Sequence, residues 1–195
     1  DRLVRLVDRS LAVAVSGVHS RYRLLETLRA YGRHGVEAAG ADRALAHRHA
    51  TYYVELAERA AHGLQGPDER AWVDDALADY DNMRAAFVSA CAGRDADLAV
   101  RLVASIPELV HLRIGYEASG WAERVLVEAD PEHPRYVAAV GAAARGAWNR
   151  GDFPLARQLA RRAAGRVPPA GTPRIADPGD VLADVALYEG DVDRA

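Results

Sequence analysis

The sequence predicts a mainly α protein in which helical pairs stack in series behind one helix and a β-hairpin. Three observations predict it. Apolar residues recur at steps of three and four through most of the chain, as on one face of an α-helix. Near the N-terminus "LAVAV" and "RYRLL" alternate with period two instead. At long range, "WNRGDFPLA" (148–156) and "LYEGDVDRA" (187–195) each carry an aromatic residue shortly before a Gly-Asp turn and an alanine soon after it. Gly151 and Gly190 are 190 − 151 = 39 positions apart.

The N-terminal elements come first. "DRLVRLVDRS" places Leu3, Val4, Leu6 and Val7 on one helical face. Leu11, Val13 and Val15 then alternate with Ala12 and Ala14, and β-branched residues favour a strand. "SGVHS" is a turn cluster, and Tyr22 and Leu24 alternate with Arg21 and Arg23 in a second, half-buried strand. Helix, strand, short loop, strand is the order at the tail of a winged-helix domain. A lone hairpin is marginal in water, so this one must pack on helices. Leu25, Leu28 and Ala30-Tyr31 return to helical spacing, which predicts a helix over 26–38 closed by Gly40.

From there on the pattern is helical. Residues 41–63 form one helix, with Leu45, His49, Tyr52, Tyr53, Leu56 and Ala60 as its apolar stripe. Pro67-Asp68-Glu69 opens another, since proline and acids suit a first turn. Trp72, Val73, Leu77, Tyr80, Met83, Phe87 and Cys91 carry it as a single helix to Gly93. "RDAD" opens the next, striped by Leu98, Leu102, Val103, Ile106, Leu109 and Val110, with Pro107 kinking it or ending it early. Gly115-Tyr116 breaks the chain before a helix bearing Trp121, Val125 and Leu126, and "DPEHP" breaks it again. Each Gly-Asp turn then joins two amphipathic helices, and Ala144, Ala156 and Ala163 let them approach closely. Such a unit buries its face only against stacked neighbours, which makes the array a tetratricopeptide-like α-α superhelix. "PPAGTPRIADPG" (168–179) reads as a loop inserted into a repeat of about 34 residues. The abrupt helical start at Asp1 and the stop at Ala195 suggest a segment of a longer chain.

Composition sets limits. The chain of 195 residues is 50% hydrophobic, largely through alanine, and 7% aromatic, which suits close-packed helices. A formal net charge of −3 gives no bulk attraction to nucleic acid or to an acidic membrane. All 25 Lys+Arg residues are arginine, so a Schiff-base lysine, a lysine base and a P-loop lysine are excluded from these residues. The single Cys91 excludes an internal disulfide and a CxxC metal site, suits a reducing cytoplasm, and reads as a small buried hydrophobe. No apolar run approaches the ~18 residues of a membrane span.

Candidate chemistry is sparse. Asp74, Asp75 and Asp79 form a DDxxxD pattern, which on a helix could hold magnesium beside a diphosphate. Without a second metal motif or basic diphosphate ligands around a deep apolar cavity, a solvated acidic face is the better reading. His19, His34, His47, His49, His62, His111 and His133 form no HExxH or i,i+4 pair, and His49 on its stripe reads as a core histidine. Nucleophilic catalysis has no GxSxG or Ser-His-Asp signal. Charge is uneven: residues 66–98 are acidic, whereas Arg145, Arg150, Arg157, Arg161, Arg162 and Arg166 stand against Asp152 alone. That basic set occupies two helix faces without interleaved aromatics, so it reads as solvated rather than as a nucleic-acid patch. Arg21 and Arg23 are weak candidates for phosphate contact. Trp72, Trp121 and Trp148 read as packing anchors, with a ligand groove as the alternative. No catalytic, cofactor-binding or metal-binding residue emerges.

"LVRLVDRSLAVAV…RYRLLETLRAYGRHGVEAAG" resembles a junction in large actinobacterial transcriptional regulators of the STAND ATPase class, of the LuxR/SARP type. There a leucine-rich helix leads to a "D-[RK]-S-L" strand start and then to "R-Y-[RQ]-L-L-E-T-[LVI]-R-x-Y". Asp8-Arg9-Ser10-Leu11 matches the first motif, and Arg21 through Thr27 with Leu28, Arg29 and Tyr31 the second. "RHATYYVELAERA" and "DERAWVDDALADYDNMRAAF" resemble the first sensor helices of the same regulators. The resemblance implies the end of a winged helix with its linker helix over 1–38 and a helical sensor over 39–195. It implies a non-catalytic cytoplasmic arm that binds an effector or protein partner and relays autoinhibition to an upstream nucleotide-binding module. ATP or ADP with magnesium would sit in that module, and DNA would be read by another domain, so no nucleotide-site residue carries over. A plain helical scaffold without a switch is the alternative.

Overall fold

The computed structural model describes residues 2–15, 21–111 and 117–190. The chain is mainly helical with a small two-stranded antiparallel sheet. It divides into two compact units, Asp1–Leu45 and Ala46–Ala195.

In the first unit, α1 (Arg2–Asp8) leads to β1 (Ala12–Val15), β2 (Arg21–Leu24) and α2 (Glu26–Ala38). The predicted turn at 16–20, with His19, lies outside the described residues. The strands pair antiparallel as Ala12↔Leu24, Val13↔Arg23, Ala14↔Tyr22 and Val15↔Arg21. Paired residues share a face of the sheet, so this register separates the two apolar sets. Val13 and Val15 lie with Arg21 and Arg23, whereas Tyr22 and Leu24 lie with Ala12 and Ala14. Of the four β1 residues only Ala12 is buried; Val13, Val15, Tyr22 and Leu24 are all exposed. The half-buried strand expected from the alternation is corrected accordingly: both faces carry large apolar groups that stay exposed, and only the small Ala12 among the paired residues is buried. Leu25 stays extended and hands directly to α2, which ends where Gly40 takes φ +63.

The next helix, α3 (Asp42–Gly63), begins in the first unit and continues in the second. Its buried stripe is Ala50, Val54, Ala57, Ala60 and Ala61, while Leu45 and Tyr52 are exposed. The expected stripe is borne out in part: Ala60 is buried and Tyr53 and Leu56 pack against the core, while Leu45 and Tyr52 fall outside it. The close-packed face is made mostly of alanine, which permits near approach. The single helix expected to run to Gly93 is two, α4 (Glu69–Ala78) and α5 (Tyr80–Gly93). Asp79 leaves helical geometry at φ −106, ψ 8, and its side chain accepts a hydrogen bond from Asn82. α6 (Ala96–Ser105) stops before Pro107, as expected, and Pro107–Leu109 makes a separate turn, α7. The expected break at Gly115-Tyr116 lies outside the described residues. α8 (Ser119–Val125) follows, then α9 (Tyr136–Asn149), α10 (Phe153–Ala160) and α11 (Pro178–Tyr188).

α9 is the centre of the second unit. Every residue from Tyr136 to Ala147 is buried, and α6, α8, α10 and α11 all pack against it. A helix enclosed on so many sides needs small side chains. A Cβ at Gly141 would overlap the Ala176 carbonyl, and one at Gly146 would come within 2.6 Å of the Ser119 carbonyl oxygen. The 168–179 segment is thus no free surface loop: Pro173 and Ala176 are buried, and a 3-10 turn at Arg174–Ala176 seats it on α9.

Two of the helix-to-helix turns share one construction. After α9, Gly151 is left-handed at φ +79, and the Asp152 carboxylate caps α10 by accepting from the Leu155 N–H at 3.1 Å. Gly190 has the same φ of +79 after α11; the rest of that second turn lies outside the described residues. The turn between α5 and α6 repeats the pattern. Arg94 is left-handed at φ 53, and Asp95 accepts from the Leu98 N–H at 3.1 Å. Here an arginine occupies the glycine position, which hid this third turn from the Gly-Asp signal.

Candidate functional site

The basic residues gathered in the sequence do not form a free surface. Arg145, nearly fully buried on α9, donates to the Ile175 carbonyl at 2.8 Å, pairs with Asp184 at 2.6 Å and lies over the Trp148 ring. Arg150 pairs with Glu123 on α8 at 2.5 Å, and Arg157 pairs with Glu189. Arg166 donates to the Pro131 carbonyl and lies over Tyr136. The solvated face expected for this set is corrected for Arg145, Arg150 and Arg157, whose ion pairs join neighbouring elements, whereas Arg166 stays exposed. Arg161 and Arg162 remain exposed.

Two further clusters work the same way. Arg84 on α5 forms two hydrogen bonds to the Glu117 carboxylate at 2.7 and 2.6 Å and reaches Asp81 at 2.7 Å. The Arg84 hydrogen bonds hold the Glu117 carboxyl below its usual pKa. Burial, with the Glu117 charge, pushes the nearby Tyr80 hydroxyl up to about 12. Arg101 on α6 holds the Glu58 carboxylate of α3 at 2.9 and 2.8 Å and meets Asp97 at 3.3 Å, while His133 meets Asp97 at 3.1 Å. Partial burial raises the Asp97 pKa, but hydrogen bonds from His133 and Arg101 outweigh it and bring it below the ordinary value.

The acidic triple comes apart as a metal site. Asp79 marks the break between α4 and α5, so Asp75 and Asp79 do not lie on one continuous helix. No group of three or more His, Cys, Asp or Glu residues that could hold a metal occurs among the described residues. His47 pairs with Asp95 at 3.3 Å. His49 is half-buried rather than core, its ring 4.6 Å from that of Tyr53. The tryptophans pack: Trp121 stacks on Phe87 at 4.5 Å, Trp72 covers Gly63, and Trp148 joins Phe153 and Tyr188.

One cleft of about 230 Å³ lies in the second unit between the end of α10 and the start of α11, and another of about 240 Å³ lies between the end of α5, the start of α6 and α8. Ala90, Ala99 and Val125 form the apolar floor of the latter, and Cys91, Arg94, Asp95, Arg124 and Glu128 its walls. Cys91 is partly buried there, packed against the core as the stripe predicts but not fully enclosed. Desolvation raises its thiol pKa, with Arg124 opposing and Glu128 adding to the effect. No sequence motif announced this cleft, because its residues come from three helices. No helix among the described residues is long and apolar enough to cross a membrane.

Comparison with family models, with curated proteins and with solved structures finds no match to this chain.

Proposed function

We propose that this chain is a non-catalytic sensor arm of a STAND-type transcriptional regulator, which relays effector binding to an upstream nucleotide-binding module. The observation that carries the reading is the uncovered first unit. Val4, Leu6, Val13, Val15, Tyr22, Leu24, Leu25 and Tyr31 are all exposed, and Tyr31 reaches 79%. So many large apolar groups left exposed in so short a segment suit an interaction surface. A helix, a hairpin and a second helix of this kind suit docking on a neighbouring module, the role the resemblance implies. In the off state the arm holds that module closed. An effector on the helical array shifts the balance only as far as it binds one state better than the other. ATP or ADP with magnesium belongs to the module and DNA contact to a separate domain, both in a cytoplasmic protein.

The test joins the chain to such a nucleotide-binding module and measures nucleotide exchange with and without residues 46–195. Faster exchange without them supports autoinhibition, and unchanged exchange removes it. A plain partner-binding scaffold is the second reading. It is favoured by the arginine–carboxylate pairs that lock neighbouring helices, Arg101–Glu58 and Arg150–Glu123 among them. A scaffold binds its partner equally well with either nucleotide present.

A further inference from the structure

We propose that the cleft between α5, α6 and α8 binds a small amphiphilic acid, its carboxylate held by Arg94 and Arg124 and its apolar body resting on Ala90, Ala99 and Val125. Neither guanidinium has a hydrogen-bond or ion-pair partner among the described residues; exposed Arg161 and Arg162 share that state, but Arg94 and Arg124 line one cleft. Arg124 is not idle surface, because its guanidinium lies over the Phe87 ring at 5.3 Å, which restrains it beside the cleft. Arg94 stands at the left-handed position that glycine fills at 151 and 190. A non-glycine residue there carries strain, which the surrounding turn holds in place. The guanidinium fork matches a carboxylate, and charge-assisted bonds of this kind are the strong ones.

The other walls narrow the ligand. Asp95 is already engaged, one oxygen capping Leu98 and the other meeting His47. The Glu128 carboxylate has no hydrogen-bond or ion-pair partner among the described residues and lines the same cleft. Two acids against two arginines leave the cleft without net positive charge, which disfavours a phosphate dianion more than a single carboxylate. A volume of about 240 Å³ falls below the ~300–1,000 Å³ of sites for drug-sized ligands, which fits a metabolite-sized molecule. This rests on reading the array as a sensor. Direct binding to the chain decides it, however, whereas nucleotide exchange decides the regulator reading, so either can fail alone.

Cys91 is the only cysteine and lies in the cleft wall, so its alkylation reports occupancy in the intact chain. Iodoacetamide labelling is followed with increasing sodium octanoate, 1-octanol or inorganic phosphate, and rates are compared within each variant. Octanoate is expected to protect Cys91 saturably while octanol and phosphate do not. Arg124→Gln and Arg94→Gly each raise the half-protection concentration about tenfold, the effect of one charge-assisted hydrogen bond. Circular dichroism confirms that both variants are folded. Protection by octanol equal to that by octanoate, or protection unchanged in both variants, overturns carboxylate recognition. Equal protection by phosphate overturns the amphiphilic ligand, and no protection at all overturns the site.

Discussion

The first unit and the second are both rich in apolar residues, yet they use them differently. In the second unit α9 is buried along most of its length, and Phe87, Met83, Leu102, Leu109 and Val140 belong to one continuous core. In the first, Ala12 is the only buried hydrophobic residue among those described, and neither α1 nor α2 has a buried residue. A two-stranded hairpin gains little from its own hydrogen bonds in water. The contrast teaches that strong local periodicity specifies elements, while burial decides which elements hold themselves in place.

The largest expected effect lies in the core. Phe87→Ala removes a fully buried ring stacked on Trp121 and should cost about 3–5 kcal/mol in urea unfolding. Val13→Ser on the exposed strand should change the same midpoint by no more than about 0.5 kcal/mol; a loss as large as that for Phe87 would erase the contrast. Next comes Gly141→Val, which forces side-chain atoms into the Ala176 carbonyl and should cost about 3 kcal/mol. A neutral result would mean that the 168–179 segment does not rest on α9.

Arg94→Gly sharpens the comparison in the other direction. It relieves a left-handed arginine at φ 53 and should stabilise the second unit by about 1 kcal/mol. The same change weakens octanoate protection of Cys91, so stability and binding move oppositely.

The smallest effect is electrostatic. The folded Asp97 carboxyl titrates below its ordinary value, so its contribution is present above the unfolded pKa and is lost as pH falls through the folded one. Asp97→Asn should therefore lose less stability than the parent chain between about pH 5 and pH 3. Because Asp97 is 60% exposed, salt should shrink the difference.

Elements were legible in the sequence wherever the signal was local. The bounds of α2, the stop of α6 before Pro107 and the paired Gly151 and Gly190 turns follow from capping and proline chemistry. Faces were less legible. α3 buries mostly alanines with Val54 and only partly its Tyr53, and alanine on several faces gives periodicity little to discriminate. The alternation of "LAVAV" and "RYRLL" disclosed two strands but not the register that sets their apolar sets on opposite faces. The break at Asp79 depends on one side chain bonding locally, which a DDxxxD pattern does not reveal. The cleft was least legible of all. Arg94 and Arg124 become neighbours only through packing, and Arg145 looked like surface charge until Asp184 and Ile175 came beside it.

Hydrogen exchange across the whole chain tests the central contrast most directly. The amides of β1 and β2 should exchange through local opening at near-unprotected rates, while those of α9 wait for global unfolding. Protection of residues 12–15 and 21–24 equal to that of 136–149 would contradict it, because the first unit would then be held together without a partner.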